Sequence, residues 1–319
     1  MTRWSAILLS GGPADHGMSA VLGIPLDDLP LCDDCTVSEA WIRVLDEDLA
    51  NDRIGTAPRH HLRILAAGDP RATASPDASP WNEVVEPRSP RGVAGVISDV
   101  MRSWEPADDL GDWLLVIESS ASPCIDVAAL FQAAERSADV CLIFGVSHLD
   151  RPCGVYLVRR DIYDLVPETG FFDFKEQLIA RMVAEGLRIE AVVVAERAIR
   201  LDTRQGWLTN VDRWAGLNRH QPIPRADGAR AWSRREGSSV VHPGSVVDGA
   251  VIISSVVMDE AVIEPGATVA RSIVGPGVKV PSGAVLVDAV FTQESRTGVA
   301  TGTSEAEGQA NDLERGTSR

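Results

Sequence analysis

Residues 240–291 read VVHPGSVVDGAVIISSVVMDEAVIEPGATVARSIVGPGVKVPSGAVLVDAVF, and this stretch decides the architecture of the last part of the chain. Aliphatic residues return every six positions: Val241, Val247 and Ile253, then Val257, Ile263 and Val269, then Val274, Val280 and Leu286. Turn-formers fill the intervals, as in HPGS, EPGA, GPG and PSGA. A six-residue period of this kind is the signature of a parallel β-helix, in which each group of three aliphatics makes one triangular coil. A coil cannot bury its apolar edge alone, so stacking is obligatory. Three coils make a short stack. An apolar end or face is therefore expected to pack on the first part of the chain or on another subunit.

Upstream, NRHQPIPRADGARAWSRREGSS at 218–239 is polar and Arg-rich, holds Pro and Gly, and has no sustained period, as a connector does. Before it, short apolar runs at 6–9, 62–66, 113–117, 140–144, 154–158 and 191–194 alternate with helix-like segments. The runs are apolar throughout, like buried parallel strands. One amphipathic segment follows Asp126, a helix-capping residue type, with Val127, Leu130, Phe131 and Ala134 on one face. Another begins at Glu176, carries Leu178, Ile179, Met182 and Val183, and stops near Gly186. Strand and helix in alternation imply a doubly wound α/β layer structure. The expected organisation is an α/β domain over 1–218, a linker over 219–239, a β-helix over 240–291 and a disordered Gly/Ser/Thr/Glu-rich tail over 292–319.

Composition narrows the function. Of 319 residues 45% are apolar, enough for a real core, and the formal net charge is −16. That charge argues against broad binding of phosphate backbones and against docking on anionic membranes. Lys175 and Lys279 are the only lysines, so cationic work falls mostly to Arg. No apolar stretch reaches the 18 or so residues of a membrane span, and the run at 6–9 is too short for a signal-peptide core. A cytoplasmic protein is expected, and five cysteines fit a reducing compartment. Cys32 and Cys35 form a C-x-x-C, which could be half of a zinc site or a redox pair. Asp33 and Asp34 between them would raise the thiol pKa values, and two ordinary cysteines in a polar loop are expected.

The first strand runs directly into LLSGGPADHGM, Leu8 to Met18. Glycines after a buried strand let backbone N–H groups approach an anion. This opening resembles that of sugar-phosphate nucleotidyltransferases, which begin with a strand and an A-G-G-x-G-T-R loop followed by P-K. EPRSPRGVAG (Glu86 to Gly95) is similar to the family's base-contacting G-T-A-G segment. GVYLVRRDIYDLVP (Gly154 to Pro167) is similar to the strand and turn near its sugar site, and LDTRQGWLTN (Leu201 to Asn210) to its closing motif. Several members also end in a left-handed parallel β-helix. The resemblance spans roughly residues 4 to 290. It implies a Rossmann-like nucleotidyltransferase domain. Nucleotide contacts would come from Leu9, Ser10, Gly11, Gly12, Gly92, Val93 and Ala94, and substrate contacts from Gly154 and Lys175.

Nucleotidyl transfer builds negative charge on phosphorus oxygens and pyrophosphate. Carboxylate-held Mg²⁺ and nearby cations must absorb it. The resemblance implies four charged positions for this work, and each is changed. The G-T-R triplet falls on Ala14, Asp15 and His16, and P-K on Pro25 and Leu26. The two metal-binding Asp positions fall on Ser120 and Arg200. Glu118, Asp126 and Asp202 are the nearby carboxylates that could substitute. Only about ten residues separate the runs ending at Phe144 and starting at Gly154, where the family has a long sugar-binding insertion. Lys175, in FFDFKEQL, is either a sugar-phosphate contact or a solvated helix-start lysine. Arg88 and Arg91 are expected to be exposed arginines. His242 is expected to be a turn residue, the alternative being an acyltransferase general base.

The expected function is a diverged sugar nucleotidyltransferase-like protein that binds a nucleotide or nucleotide sugar with weak or no catalysis, in a regulatory or scaffold role. The alternatives are an active sugar-1-phosphate nucleotidyltransferase with relocated metal ligands and a hexapeptide acyltransferase. No metal ligand is assigned, and Mg²⁺ enters only with the active-enzyme reading. Expected partners are the nucleotide ligand and either a second copy or an active paralogue, with no nucleic acid and no membrane.

Overall fold

Strand β1 (Trp4–Ser10) is buried on both faces in the computed structural model, and the first part of the chain is arranged about it. The structure describes residues 3–10, 17–32, 35–66, 69, 80–86, 91–104, 110–217, 235–236 and 239–293. Gly11, Gly12, Asp33, Asp34, Arg88 and nearly all of the expected linker and tail lie outside them.

Helix α1 (Gly17–Leu22) follows, then a hairpin of β2 (Pro30–Cys32) and β3 (Cys35–Thr36). Helix α2 (Val37–Ala50) starts where the hairpin ends, and Thr36 and Glu39 cap it reciprocally. The next elements are β4 (His61–Leu65), β5 (Asn82–Val85), α3 (Gly92–Ser103), β6 (Trp113–Glu118), α4 (Ala128–Arg136) and β7 (Val140–Ser147). They are followed by β8 (Pro152–Arg159), α5 (Ile179–Ala184), β9 (Arg188–Ala195) and α6 (Arg204–Gly216). The strands make a seven-stranded sheet in the order β5-β4-β1-β6-β8-β7-β9. On one face, α2, α4 and α6 bury Trp41, Phe131, Trp207 and Trp214 against Trp4, Ala6 and Leu8. On the other, α3 and α5 close over Ile7, Leu62, Leu114 and Leu142. Each fully buried side chain of this size contributes about 1.5–3 kcal/mol.

The sheet departs from an all-parallel expectation at β8, which runs antiparallel to both β6 and β7. The reason is the length of the β7–β8 connection. Residues 148–151 can only turn the chain back, whereas a parallel return needs a crossover of a dozen residues or more. Asp150 takes a positive φ in that turn, and the Ser147 hydroxyl accepts from the N–H groups of Leu149 and Arg151. β5 and the β2–β3 hairpin were not foreseen, because Asn82, Glu83, Pro30 and Cys32 break the apolar pattern. The expected polar loop around the C-x-x-C is corrected accordingly: Cys32 and Cys35 are strand residues paired across the hairpin. Asp126 does not cap α4. Its carboxylate is taken by Arg53, and α4 begins after Val127 without a side-chain cap. The second expected helix starts with a wide turn at Phe174–Leu178, capped by Asp173, before α5. Met182 is buried as the periodicity implies, but Val183 is exposed.

The last part is a parallel β-helix. After β10 (Arg235–Glu236) come β11 (Ser239–Val241), β12 (Val246–Val247), β13 (Val251–Ile253), β14 (Val256–Val257) and β15 (Val262–Ile263). β16 (Thr268–Ala270), β17 (Ile273–Val274), β18 (Lys279–Val280), β19 (Val285–Val287) and β20 (Val290–Phe291) complete the coils. Three sheets form the walls: β10-β11-β14-β17-β20, β12-β15-β18 and β13-β16-β19. The interior holds Val257, Ile263, Val269, Val274 and Val280, with Val241, Val247 and Leu286 packed at its ends. One of the nine expected interior positions is wrong. Ile252 points inward and Ile253 is half exposed, because Ile252 pairs with Val269, which pairs with Leu286. Both residues are isoleucine, so only the pairing register separates them.

One outer wall is covered by the first part of the chain. Val240, Val256, Met258 and Ile273 belong to the same core as Leu22, Trp207 and Trp214. At the rim, Arg204 of α6 donates to the carbonyl of Arg271 and to Asp288, which also holds Arg271. Hydrogen bonds from Arg271 and then Arg204 pull the Asp288 carboxyl from 3.8 down to about 2. Because the folded value is the lower one, this clamp contributes fully above the unfolded value and is lost as pH falls through about 2. Asp288→Asn is expected to lower the melting temperature at neutral pH, with the gap to the parent protein closing as melts are taken down to about pH 2.

Candidate functional site

An open α/β sheet binds ligands where the strand order reverses, outside the carboxyl ends of the strands. Here the chain leaves β1 toward β4 and β5, then returns to the other side of β1 as β6. The crevice therefore opens between the ends of β1 and β6. The register sets Leu9 opposite Glu118, and Ser10 opposite Leu65. The loop carrying Gly11 and Gly12 begins there but lies outside the described residues. It lands at Gly17, whose φ is +79° and where a side chain would stand 3.1 Å from the carbonyl oxygen of Asp202. The N–H of Met18 donates to that same oxygen at 3.1 Å.

Glu118 is the centre of the crevice. Its Oε1 accepts from the Tyr156 hydroxyl at 2.7 Å and faces Lys175 Nζ at 2.7 Å. Arg200 Nη1 lies 3.7 Å from its Oε2, while Arg200 Nε donates to Asp202 at 3.1 Å. The cations are about half exposed, so their outer faces remain available to solvent or ligand. Burial, reinforced by the negative Glu118, pushes the Tyr156 hydroxyl up, so it stays a neutral donor. Gly154 explains how β8 passes over the site. A side chain there would stand 3.1 Å from Ala121 Cβ and 3.3 Å from Glu118 Oε2, at a φ of +76°.

The two positions where the resemblance implies metal-binding Asp residues are brought side by side. Ala121 bridges to Arg200, and the N–H of Leu201 donates to the Ser120 carbonyl at 3.0 Å. Of the three carboxylates considered as substitutes, Glu118 and Asp202 share Arg200. Asp126 is engaged elsewhere, with Arg53. Among the described residues no three of His, Cys, Asp and Glu gather as a metal cage. A guanidinium between the two remaining carboxylates repels a divalent cation, so these residues do not fit Mg²⁺. Leu26, at the position of the expected Lys, packs partly buried against the core.

Lys175 is brought to the site because the Asp173 carboxylate caps its turn, accepting from the N–H groups of Lys175 and Glu176. Arg91 is not an exposed arginine. It is buried, donating to Asp99 and to the carbonyls of Pro167 and Gly170. Gly92 and Ala94 open α3, with Ala94 fully buried and Val93 at the surface. Gly92 has a packing reason of its own: with φ at +70°, a side chain would meet the Phe172 carbonyl oxygen at 2.7 Å. His242 is buried in the first coil, with Nδ1 2.8 Å from the Asp259 carboxylate.

Tyr156 was not singled out in the sequence. The available signal was its spacing: Gly154 and Tyr156 are two apart and so share one face of a strand. Gly92→Ala is expected to cost on the order of 2–4 kcal/mol, from overpacking and left-handed backbone strain together. Urea unfolding of the variant measures this without reference to any ligand.

Comparison with known proteins bears on the last third of the chain. No curated protein matches it. Residues 227–316 match the family model described as GlmU-like, C-terminal hexapeptide, a span that contains every β-helix strand from β10 to β20.

Proposed function

We propose that this chain is a diverged sugar nucleotidyltransferase-like protein that binds a nucleotide or nucleotide sugar, with weak or no catalysis, in a regulatory or scaffold role. The observation that carries the reading is the state of Glu118, the acid beside the β1–β6 crevice. Lys175, Arg200 and Tyr156 already neutralise it. A crevice with Arg200 at the expected metal position and a second cation, Lys175, suits a preformed diphosphate better than the charge build-up of phosphoryl transfer. The switch-point location and the hexapeptide match both support the reading. The nucleotide would lie along Leu9, Ser10 and the Gly11–Gly12 loop toward α3, with the sugar side toward Gly154 and Lys175.

An active enzyme with relocated ligands needs Glu118 and Asp202 to release Arg200 and take a metal together. An acyltransferase needs a reachable His242, whereas the imidazole is buried and held. As partner we favour a second copy. Val251, Ile253, Val285 and Val287 of the β13-β16-β19 wall are exposed and apolar, the wall opposite in character to the covered one.

Thermal-shift titration against nucleoside triphosphates and nucleotide sugars, with and without Mg²⁺, tests the reading. A ligand that binds only the folded chain raises its melting temperature. A nucleotide sugar is expected to bind without Mg²⁺, and Lys175→Ala and Arg200→Ala are each expected to weaken it about 10- to 100-fold, the value of a charge-assisted phosphate contact. Mg²⁺-dependent release of pyrophosphate from a sugar 1-phosphate and a nucleoside triphosphate would overturn it.

A further inference from the structure

The C-x-x-C motif stands apart from the crevice, and the fold brings its sulfurs together. Cys32 closes β2, Cys35 opens β3, and the two residues are direct partners across the antiparallel pair. Their Sγ atoms are 2.7 Å apart. Cys35 is completely buried, while Cys32 is partly open to solvent. Among the described residues no other His, Cys, Asp or Glu joins them in a group of three.

We infer that Cys32 and Cys35 form a reversible dithiol–disulfide site, oxidised by low-molecular-weight disulfides. The Cys32 thiolate attacks one sulfur of the oxidant RSSR, forming a Cys32–SR bond and releasing RS⁻. The Cys35 thiolate then attacks Cys32 Sγ, closing the protein disulfide and releasing the second RS⁻. The two protons lost by the cysteines end on the two RS⁻ groups. Two electrons pass from the protein sulfurs to the oxidant, which leaves as two RSH. The burial pattern assigns the order. A bulky oxidant can reach only the partly open Cys32, and Cys35 has only to reach its neighbour.

The hairpin is a joint between several elements. The Pro30 carbonyl accepts from Trp207 Nε1 of α6 at 2.9 Å, and Thr36, next to Cys35, caps α2. β2 also packs against β11, a strand of the five-stranded β-helix wall. A covalent link across the mouth of the hairpin therefore braces the place where α2, α6 and the β-helix meet.

The test uses the full chain. It is incubated with oxidised glutathione, alkylated, digested and mapped by mass spectrometry, with melting temperatures taken in parallel. Expected are a Cys32–Cys35 link reversed by dithiothreitol, alkylation of Cys124, Cys141 and Cys153, and a rise in melting temperature of about 4 °C for so short a loop. Cys32→Ser should abolish both the link and the rise, and Cys35→Ser should stop at a glutathione adduct on Cys32. Alkylation of both cysteines after oxidant, or a lasting adduct on Cys32 of the parent protein, would overturn the site. A linked protein with an unchanged melting temperature would overturn the bracing role.

Discussion

The pairing of β1 with β6 is the constraint on which the rest of the molecule depends. β1 is buried on both faces and flanked on both edges, and its backbone groups are satisfied by β4 and β6, which both lie parallel to it. That arrangement forces the chain to reverse its winding at β1, and the reversal opens a crevice at the strand ends. Glu118 stands in the crevice because it is the last residue of β6. The antiparallel β8 then carries Gly154 and Tyr156 across the same end. The site is a consequence of sheet order before it is a consequence of any side chain.

The electrostatics of the crevice follow from what surrounds one carboxylate. An acid at the edge of a low-dielectric core must be compensated, and Lys175, Arg200 and the Tyr156 hydroxyl do so from three separate segments. The same groups set what the crevice can accept. Lys175 and Arg200 are each about half exposed, so their outer faces are open to an anion, and the Arg200 side chain stands between the two carboxylates a divalent cation would need. Asp202 adds a second acid, but its partner is again Arg200, so the pair of carboxylates is held together by the group that keeps metal away.

The β-helix depends on the α/β part as much as on its own period. Its three short coils bury three files of aliphatics inside, one from each wall, but Val240, Val256 and Ile273 face outward and would be wet without α6 and α1. The Arg204–Asp288–Arg271 clamp ties the rim of the stack to α6. The segment between the two parts is therefore joining bodies that already share a core, and the hexapeptide period continues a packing surface begun by Trp207 and Trp214.

Hydrophobic period by itself determined the β-helix and six of the seven strands of the main sheet, because each of these is a local pattern that survives in one dimension. The family resemblance, not the period, pointed to Leu9, Ser10, Gly154 and Lys175; Leu9 and Ser10 end β1, Gly154 lies within β8, and Lys175 lies in the turn before α5. Sequence pattern failed where identity is shared or where partners are distant. Ile252 and Ile253 are the same residue, and only pairing with Val269 chose the inward one. Arg91 reads as a surface cation until Pro167, Gly170 and Asp99 close around it. Cys32 and Cys35 read as loop residues until the hairpin sets them opposite one another. Tertiary structure alone decided that Glu118, Tyr156, Lys175 and Arg200 meet. Their contact is fixed by strand order and turn direction, and neither is written in the spacing of residues that follow Glu118 by 38 to 82 positions.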